Sequence, residues 1–354
     1  MRLFPKGRDL SRPPERVELE VRASDLRLPV EAVELRLDHF LAKSLVWRSR
    51  SSLQNLIREG HVLVDVCAPE RSGGAGELTI ERRPGRKLRH GARVVIVIPE
   101  GLRLAARAAE PDDLAILYED ESVLAVDKPP GLAVHPAGRH LTDTLIQRVH
   151  AHFESERLHR DARPRLCHRL DRETSGLVLV GKDPGAHQDL MRQFERRRVE
   201  KEYLAIVRGA PDSDGGTVDL PLGPARASRI GLKIAVAADG QSSRTEWKVL
   251  ERFRDCALVS CRPLTGRQHQ IRVHMDAIGH PLLGDKLYGY GEEYFQRNAD
   301  GELTAADLRA LELPRHALHN HRLVFTSPRS GERVEVVSPL ASDLVAFLED
   351  RALE

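Results

Sequence analysis

The segment HRLDRETSGL, His168 to Leu177, places one carboxylate, Asp171, between Arg169 and Arg172 and just ahead of a short apolar run. Three kinds of chemistry could use it: a surface ion-pair cluster, a metal site, or a catalytic acid held ionised. A metal set would have to recruit His168, His269 and His274, but His269 and His274 are five apart, a poor spacing for one helix face. They read as ordinary hydrogen-bonded histidines, and no metal is expected. Asp171 with Glu173 cannot act as a glycosidase pair, because residues i and i+2 do not flank a bond from opposite sides. What remains is a lone carboxylate that needs a cation to stay charged in a pocket. The string PLTGRQHQIRVHM, Pro263 to Met275, offers two such cations, Arg267 and Arg272. Thr174 and Ser175 are expected to satisfy backbone groups at the turn, and Arg172 to be structural.

The elements around these strings are legible from periodicity. LAILYED and SVLAVDK read as a hairpin, and LVLVGKD, EYLAIVRG, RTEWKVLERF and CALVSCRPL as further strands. The GRQHQIRVHMDAIG stretch shifts to helical period and stops at Gly279. HRLVFTSPRSGERVEVVSPL reads as a late hairpin, and SPLASDLVAFLEDR as a closing helix with a serine cap. Many strands joined by hairpins, with scattered helices, predict an α+β fold with a mixed, mostly antiparallel sheet.

Ahead of that domain lies a different composition. From Leu35 to Ile98 there are 12 Lys+Arg against 6 Asp+Glu, a local balance of +6 in a chain whose total is +2. Residues 1–34 balance at zero, so the remainder carries −4. A small basic module ahead of a larger, mildly acidic domain suggests a polyanionic partner, or else a solvated basic face. Within the module, Leu37, Phe40, Leu41 and Leu45 recur at helical spacing, as do Leu53, Leu56 and Ile57 before Gly60. Arg48, Arg50 and Arg58 fall outside that second apolar face. A strand at HVLVDV, a polar, glycine-containing insertion at Pro69–Gly85 expected to be a mobile loop, and a closing strand complete it. The expected organisation is a flexible arm over 1–34, a small α/β module over 35–99, a linker over 100–112 and the larger domain over 113–354.

Composition narrows the function classes. No apolar run reaches transmembrane length, and the N-terminus has no h-region, which predicts a cytoplasmic protein without membrane partners. The four cysteines, Cys67, Cys167, Cys256 and Cys261, form no C-x-x-C pair and read as reduced core thiols. Neither G-x-x-x-x-G-K-[ST] nor G-x-G-x-x-G occurs, so nucleotide-cofactor chemistry has no support.

Taken in order, HRLDRETSGL, KEYLAIV and PLTGRQHQIRVHM closely resemble the three signature segments of the RluA family of pseudouridine synthases. DKPPGLAVHP and GHPLLGDKLYG look like two more family segments, and RLDHFLA, SRSSLQNLIREGHVLV and KLRHGARV are similar to the alpha-L RNA-binding domain. The resemblance spans about residues 35–350. It implies an isomerase that converts uridine in RNA to pseudouridine with no cofactor, acting on a flipped base. It carries the catalytic aspartate onto Asp171, the active-site tyrosine onto Tyr203, the ion-pairing arginine onto Arg272, and the arginine that fills the vacated base position onto Arg169. Read without the resemblance, Tyr203 is a strand-face aromatic with a solvated hydroxyl. Gln268 departs from the Thr or Ser common in the family, and the Pro69–Gly85 insertion puts the docking of the RNA-binding module in doubt.

The basic module is expected to contact phosphates through Arg48, Arg50, Arg58 and Lys87, positioning RNA without reading its sequence. Large-subunit ribosomal RNA or a pre-ribosomal particle is the expected partner, transfer RNA the runner-up, and the chain is expected to be a monomer. Two other classes stand against this reading: a non-catalytic RNA-binding assembly factor, and a hydrolase acting on a small ligand.

Overall fold

Val17, Leu19 and Val21 alternate with charged residues, and that period of two makes a strand, β1 (Arg16–Glu20). In the computed structural model, which describes residues 16–26, 29–44, 50–65, 77–97, 114–135, 143–155 and 164–351, β1 pairs antiparallel with β6 (Arg93–Val97). The expectation of a flexible arm over 1–34 therefore fails from Arg16 onward; residues 1–15 lie outside the described residues. The cause is burial: Val17, Val21, Ala23 and Val33 enter the core of the first unit. The flanking Arg and Glu residues hide these few apolar positions from a composition-based reading.

The first unit's sheet runs β1-β6-β3-β4, with β3 at Val62–Asp65 and β4 at Thr79–Ile80. A second pair joins β2 (Leu35–Arg36) to β5 (Lys87–Leu88). Two helices, Leu37–Ser44 and Arg50–Glu59, bury Leu37, Phe40, Leu41, Leu53, Leu56 and Ile57 against the sheet, the faces their spacing predicts; Leu45 lies outside the described residues. Gly60 ends the second helix at φ +88°, a conformation that costs glycine least, with its N–H donating to the Ile57 carbonyl. The expected loop over Pro69–Gly85 is not a loop throughout. Residues 66–76 lie outside the described residues, but Thr79–Ile80 pairs with β3, and Arg82 donates to the Arg58 carbonyl at 2.9 Å.

The second unit is built on one ten-stranded sheet. Its main path is β12 (Gly215–Asp219), β15 (Arg244–Arg252), β16 (Cys256–Pro263), β11 (Glu200–Arg208), β17 (Leu318–Thr326), β10 (Ser175–Gly181), β8 (Val123–Lys128) and β7 (Ala115–Glu119). Two short strands, β9 (Arg165–Leu166) and β18 (Arg333–Val337), pair with β10 and β17. Every pairing in this sheet is antiparallel except β10 with β17. The mixed, mostly antiparallel α+β expectation holds. A separate hairpin joins β13 (Leu222–Pro224) to β14 (Ile234–Val236). The helix Gln270–Ala277 follows β16 and packs Ile271 and Met275 onto the sheet, and Gly279 ends its turn at φ +86°. The last helix, Ser342–Glu349, begins one residue earlier than a serine cap requires: Ala341 holds the cap position and Ser342 is already helical.

By backbone packing the described residues fall into two units, one holding those of 16–97 with 135 and 143–147, the other those of 114–134 with 148–351. The sequence-drawn domain from 113 onward had included 135–147. Cys167, Cys256 and Cys261 are free and buried, as core thiols should be, and Cys67 lies outside the described residues. No helix among the described residues is long and apolar enough to cross a membrane.

Candidate active site

The loop from Cys167 to Thr174 links β9 to β10, and its shape is set by the one parallel pairing of the sheet. Gly176 sits at φ +105° opposite Asn320, where an added Cβ would lie 2.3 Å from the Asn320 carbonyl oxygen. Only glycine allows β10 and β17 to approach this closely. Thr174 and Ser175 were expected to hold backbone groups. Instead their hydroxyls pair with histidine rings, Thr174 with His316 Nε2 at 2.7 Å and Ser175 with His319 Nδ1 at 3.0 Å. His319 lies on β17 opposite Ser175, and His316 stands just ahead of that strand, so the strand pairing brings both rings to these hydroxyls.

Arg272, on the helix Gln270–Ala277, reaches this loop. Its Nη1 donates to Asp171 Oδ2 at 2.8 Å, while Nε and Nη2 grip both oxygens of Asp285 at 2.6 and 2.8 Å. Asp285 is fully buried and Asp171 keeps 24% of its side chain exposed. The guanidinium is thus shared between a carboxylate that only holds it and one that faces outward. Burial pushes the Asp171 carboxyl up, but the Arg272 charge, with His269 and Arg169, outweighs this and holds it below the ordinary carboxylate range. Burial likewise opposes the Arg272 charge, and Asp285 reverses the balance, so the guanidinium stays charged. Of the two cations offered by sequence, Arg267 also lines the cleft but does not pair with Asp171: its Nε donates to the Ser242 carbonyl at 3.2 Å.

These groups line a cleft of about 790 Å³ that also receives Tyr203, Arg169, Lys201 and Leu264. Tyr203 lies on β11, paired with Asn320 on one side and Cys261 on the other. Its phenol is pushed up, first by burial and then by the Asp171 charge, so it is neutral at physiological pH. Arg169 is exposed beside it. Arg172 serves the loop through its backbone: its carbonyl accepts from Gly131 N–H at 2.8 Å and from Lys128 Nζ at 3.1 Å. The cleft therefore joins an ionised carboxylate, a neutral phenol and an exposed guanidinium. A nucleophile or general base with a proton-bearing neighbour is what that set can supply.

Sequence reasoning missed several members of this set. Asp285 and Lys286 lie in GHPLLGDKLYG, whose family likeness was legible but whose charges had no assigned partner; Lys286 donates to Glu173 Oε1 at 2.8 Å. His269 was taken as an ordinary hydrogen-bonded histidine, yet its Nε2 lies 3.8 Å from Asp171 Oδ1. Its Nδ1 is 2.8 Å from the Tyr288 hydroxyl, which also accepts from Ile234 N–H at 3.0 Å. Nδ1 is the one acceptor among the described residues for the proton of that buried phenol, so the hydroxyl donates to Nδ1 and the His269 proton sits on Nε2, toward Asp171. Burial, helped by Arg272, lowers the ring to about 4, so it is neutral at physiological pH. The other two histidines have their own partners: His168 Nε2 accepts from Leu179 N–H, and His274 meets Thr245 and Leu220.

In the first unit the phosphate-contact expectations are only partly placed. Arg58 is exposed on its helix, 3.2 Å from Asn55 Oδ1. Lys87 is exposed but paired to Glu34 at 2.6 Å. Arg48 and the Arg50 side chain lie outside the described residues.

Comparison with known proteins follows the same division. A family profile described as RNA pseudouridylate synthase matches residues 122–277, and one described as S4 domain matches residues 35–65. An uncharacterized RNA pseudouridine synthase of Bacillus subtilis, YlyB, is 36% identical, over 92% of this chain and 97% of its own. A protein of Nitrosomonas europaea named ribosomal large subunit pseudouridine synthase D is also 36% identical, over 92% and 87%. The chain belongs to the RNA pseudouridine synthase family. Among solved structures, human RNA pseudouridylate synthase domain containing 4 aligns with a TM-score of 0.53 at 27% identity, covering 69% of this synthase and 94% of that chain. The synthase is therefore an isomerase acting on RNA, with an S4 domain at its N-terminal end.

Proposed function

We propose that the synthase isomerises uridines of large-subunit ribosomal RNA, with Asp171 as the reacting carboxylate. The observation that carries this is the Asp171–Arg272–Asp285 arrangement, which holds one carboxylate ionised at the open side of the cleft, next to Tyr203. In the reaction the bond from ribose C1′ to N1 breaks, the uracil turns, C1′ bonds to C5, the C5 proton leaves and N1 gains one. Redox state is unchanged. Asp171 either attacks as a nucleophile or removes a ribose proton. Tyr203 packs beside the base and its neutral phenol can carry a proton. Arg169, exposed at the cleft, takes the space that the base vacates when it flips, offsetting part of a cost of a few kcal/mol. The reading takes the enzyme as a cytoplasmic monomer needing no cofactor. Ribosomal RNA is favoured because relatives covering most of the chain, from Nitrosomonas and Xanthomonas, are named for the large ribosomal subunit.

The test uses unmodified large-subunit ribosomal RNA transcript with the wild-type protein and with Asp171→Asn, mapped by carbodiimide labelling and reverse-transcription stops. Stops at one or a few uridines with wild type alone are expected. Stops only on transfer RNA would move the substrate, no stops on either RNA would favour an assembly factor, and equal stops with both proteins would remove Asp171 from the chemistry.

A further inference from the structure

One wall of the cleft carries two cations that no carboxylate among the described residues neutralises. Lys201, on β11, is half-buried, and its only hydrogen bond among the described residues is a long one to the Thr265 carbonyl at 3.4 Å. Arg197 lines the same wall and makes no ion pair among the described residues. The carboxylates of this wall do not reach them: Glu200 is taken by Arg333 at 2.8 Å and Arg322 at 3.5 Å, and Glu195 makes no ion pair among the described residues. Burial lowers the Lys201 amine, and the Arg197 charge lowers it further, so the two cations repel across a partly dry surface. Such a pair costs the empty protein stability unless an anion arrives.

The backbone at Arg197 adds an independent sign. The chain leaves the helix Pro184–Glu195 with Arg197 in the left-handed region, φ +56°, its N–H on the Phe194 carbonyl and the Arg198 N–H on the Gln193 carbonyl. Glycine is the residue most often found at such a helix end, because a side chain there meets the following carbonyl oxygen. A cation at a helix C-terminus offsets a little of that strain through the helix dipole, but that term is weak at an exposed site. Lys201 also shares a strand face with Tyr203. Two residues along a strand span about 7 Å, on the order of the distance from a nucleotide's base to its phosphate.

We propose that Lys201 and Arg197 form a subsite for one phosphodiester of the RNA backbone, next to the uridine that faces Tyr203. The subsite rests on the RNA pseudouridine synthase reading of this cleft. Its role is to hold the flipped nucleotide's backbone while Asp171 works at the ribose.

The test measures binding to the full-length Asp171→Asn protein of a large-subunit ribosomal RNA oligonucleotide containing the mapped uridine, as a function of potassium chloride. Lys201→Met and Arg197→Gly are added in that background. Each is expected to lower the magnitude of the log–log salt slope by about 0.7–0.9, while melting no lower than the parent, since each removes a repelled charge or a left-handed side chain. The oligonucleotide is then made with a neutral methylphosphonate at the linkage 5′ or 3′ of the uridine. One of the two linkages should weaken binding to the parent but not to Lys201→Met. Additive losses at both linkages, or variants that melt lower with the slope unchanged, would overturn the subsite and leave Lys201 a structural group on Thr265. Turnover of the all-phosphodiester oligonucleotide by the wild-type protein, measured in parallel, reports separately on the activity itself. Absence of turnover sinks the reading while the salt slope still reports on the subsite.

Discussion

At the scale of residues, the synthase invests most in keeping one carboxylate charged. Burial alone would raise the Asp171 pKa; the Arg272 charge reverses the sign and takes it below the ordinary 3.8. A depressed carboxylate contributes stability that is present above its unfolded pKa and lost as pH falls through the folded one. The acid limb of kcat/KM should therefore lie below pH 3.8 wherever the protein stays folded. Arg272→Gln leaves Asp171 with burial unopposed and Asp285 without its cation. Its acid limb should move above pH 3.8, and urea unfolding should show a loss of about 3–5 kcal/mol. An unmoved limb in a folded variant would mean that Asp171 is not the titrating group. The Tyr288 hydroxyl fixes the His269 proton on Nε2, so Tyr288→Phe should free the ring. We expect kcat in single turnover to fall about tenfold, or about 1.4 kcal/mol, with substrate affinity kept. Equal falls in both would make Tyr288 a packing residue only. The lone carboxylate and its need for a cation were legible from HRLDRETSGL. Which arginine answers it stayed open from the residues alone, and only the family resemblance pointed to Arg272; the two stand in different elements, Arg267 in the turn ahead of the helix Gln270–Ala277 and Arg272 on it. Asp285 and His269 were illegible, because each acts on Asp171 through a contact closed by tertiary packing.

At the scale of elements, the site depends on how tightly a few segments are clamped. Asp171 and Glu173 alternate along the loop and meet Arg272 and Lys286 respectively, so two ion pairs fix one stretch of backbone. Arg315 closes it from below, donating to the Glu173 carbonyl at 3.2 Å while gripping Asp343 of the last helix at 2.7 and 2.9 Å. Strands β7, β8, β10, β11, β15, β16, β17 and β18 were readable from their apolar pattern, as were the helix over 270–277 and its stop at Gly279, whereas the short strands β9, β12, β13 and β14 were not. The parallel placement of β10 beside β17 was not, since sequence pattern fixes which faces are apolar but not which strand lies next to which. Gly176 is where that placement can be tested. Gly176→Ala puts a methyl against the Asn320 backbone at a positive φ, and thermal melting should report a loss of about 2–5 kcal/mol. A variant that melts like the wild type would show that β10 and β17 can separate without cost.

At the scale of the whole molecule, the charge asymmetry pointed to a basic first module and a larger domain carrying the chemistry, and the matched families divide the chain in that way. What the asymmetry overstated is how many of the module's 12 Lys+Arg side chains are free to meet RNA. Arg36 is tied to Asp38 at 3.0 Å, Arg83 to Glu81 at 3.4 Å and Lys87 to Glu34 at 2.6 Å, whereas the Arg58 guanidinium, among the described residues, bonds only to the neutral amide oxygens of Asn55 and Gln54. A lysine already paired with a carboxylate releases fewer counterions on meeting a phosphate than an unpaired arginine does. Arg58→Gln should therefore lower the salt slope of RNA binding by about 0.7–0.9 and Lys87→Gln by less. Because such contacts grip substrate and transition state alike, KM should rise in both variants while kcat at saturating RNA is kept. Measured with the mapped ribosomal RNA fragment at several potassium chloride concentrations, the reverse ranking would mean that Glu34 releases Lys87 when RNA binds. A fall in kcat with KM unchanged would mean that the S4 domain acts on the transition state as well as on binding.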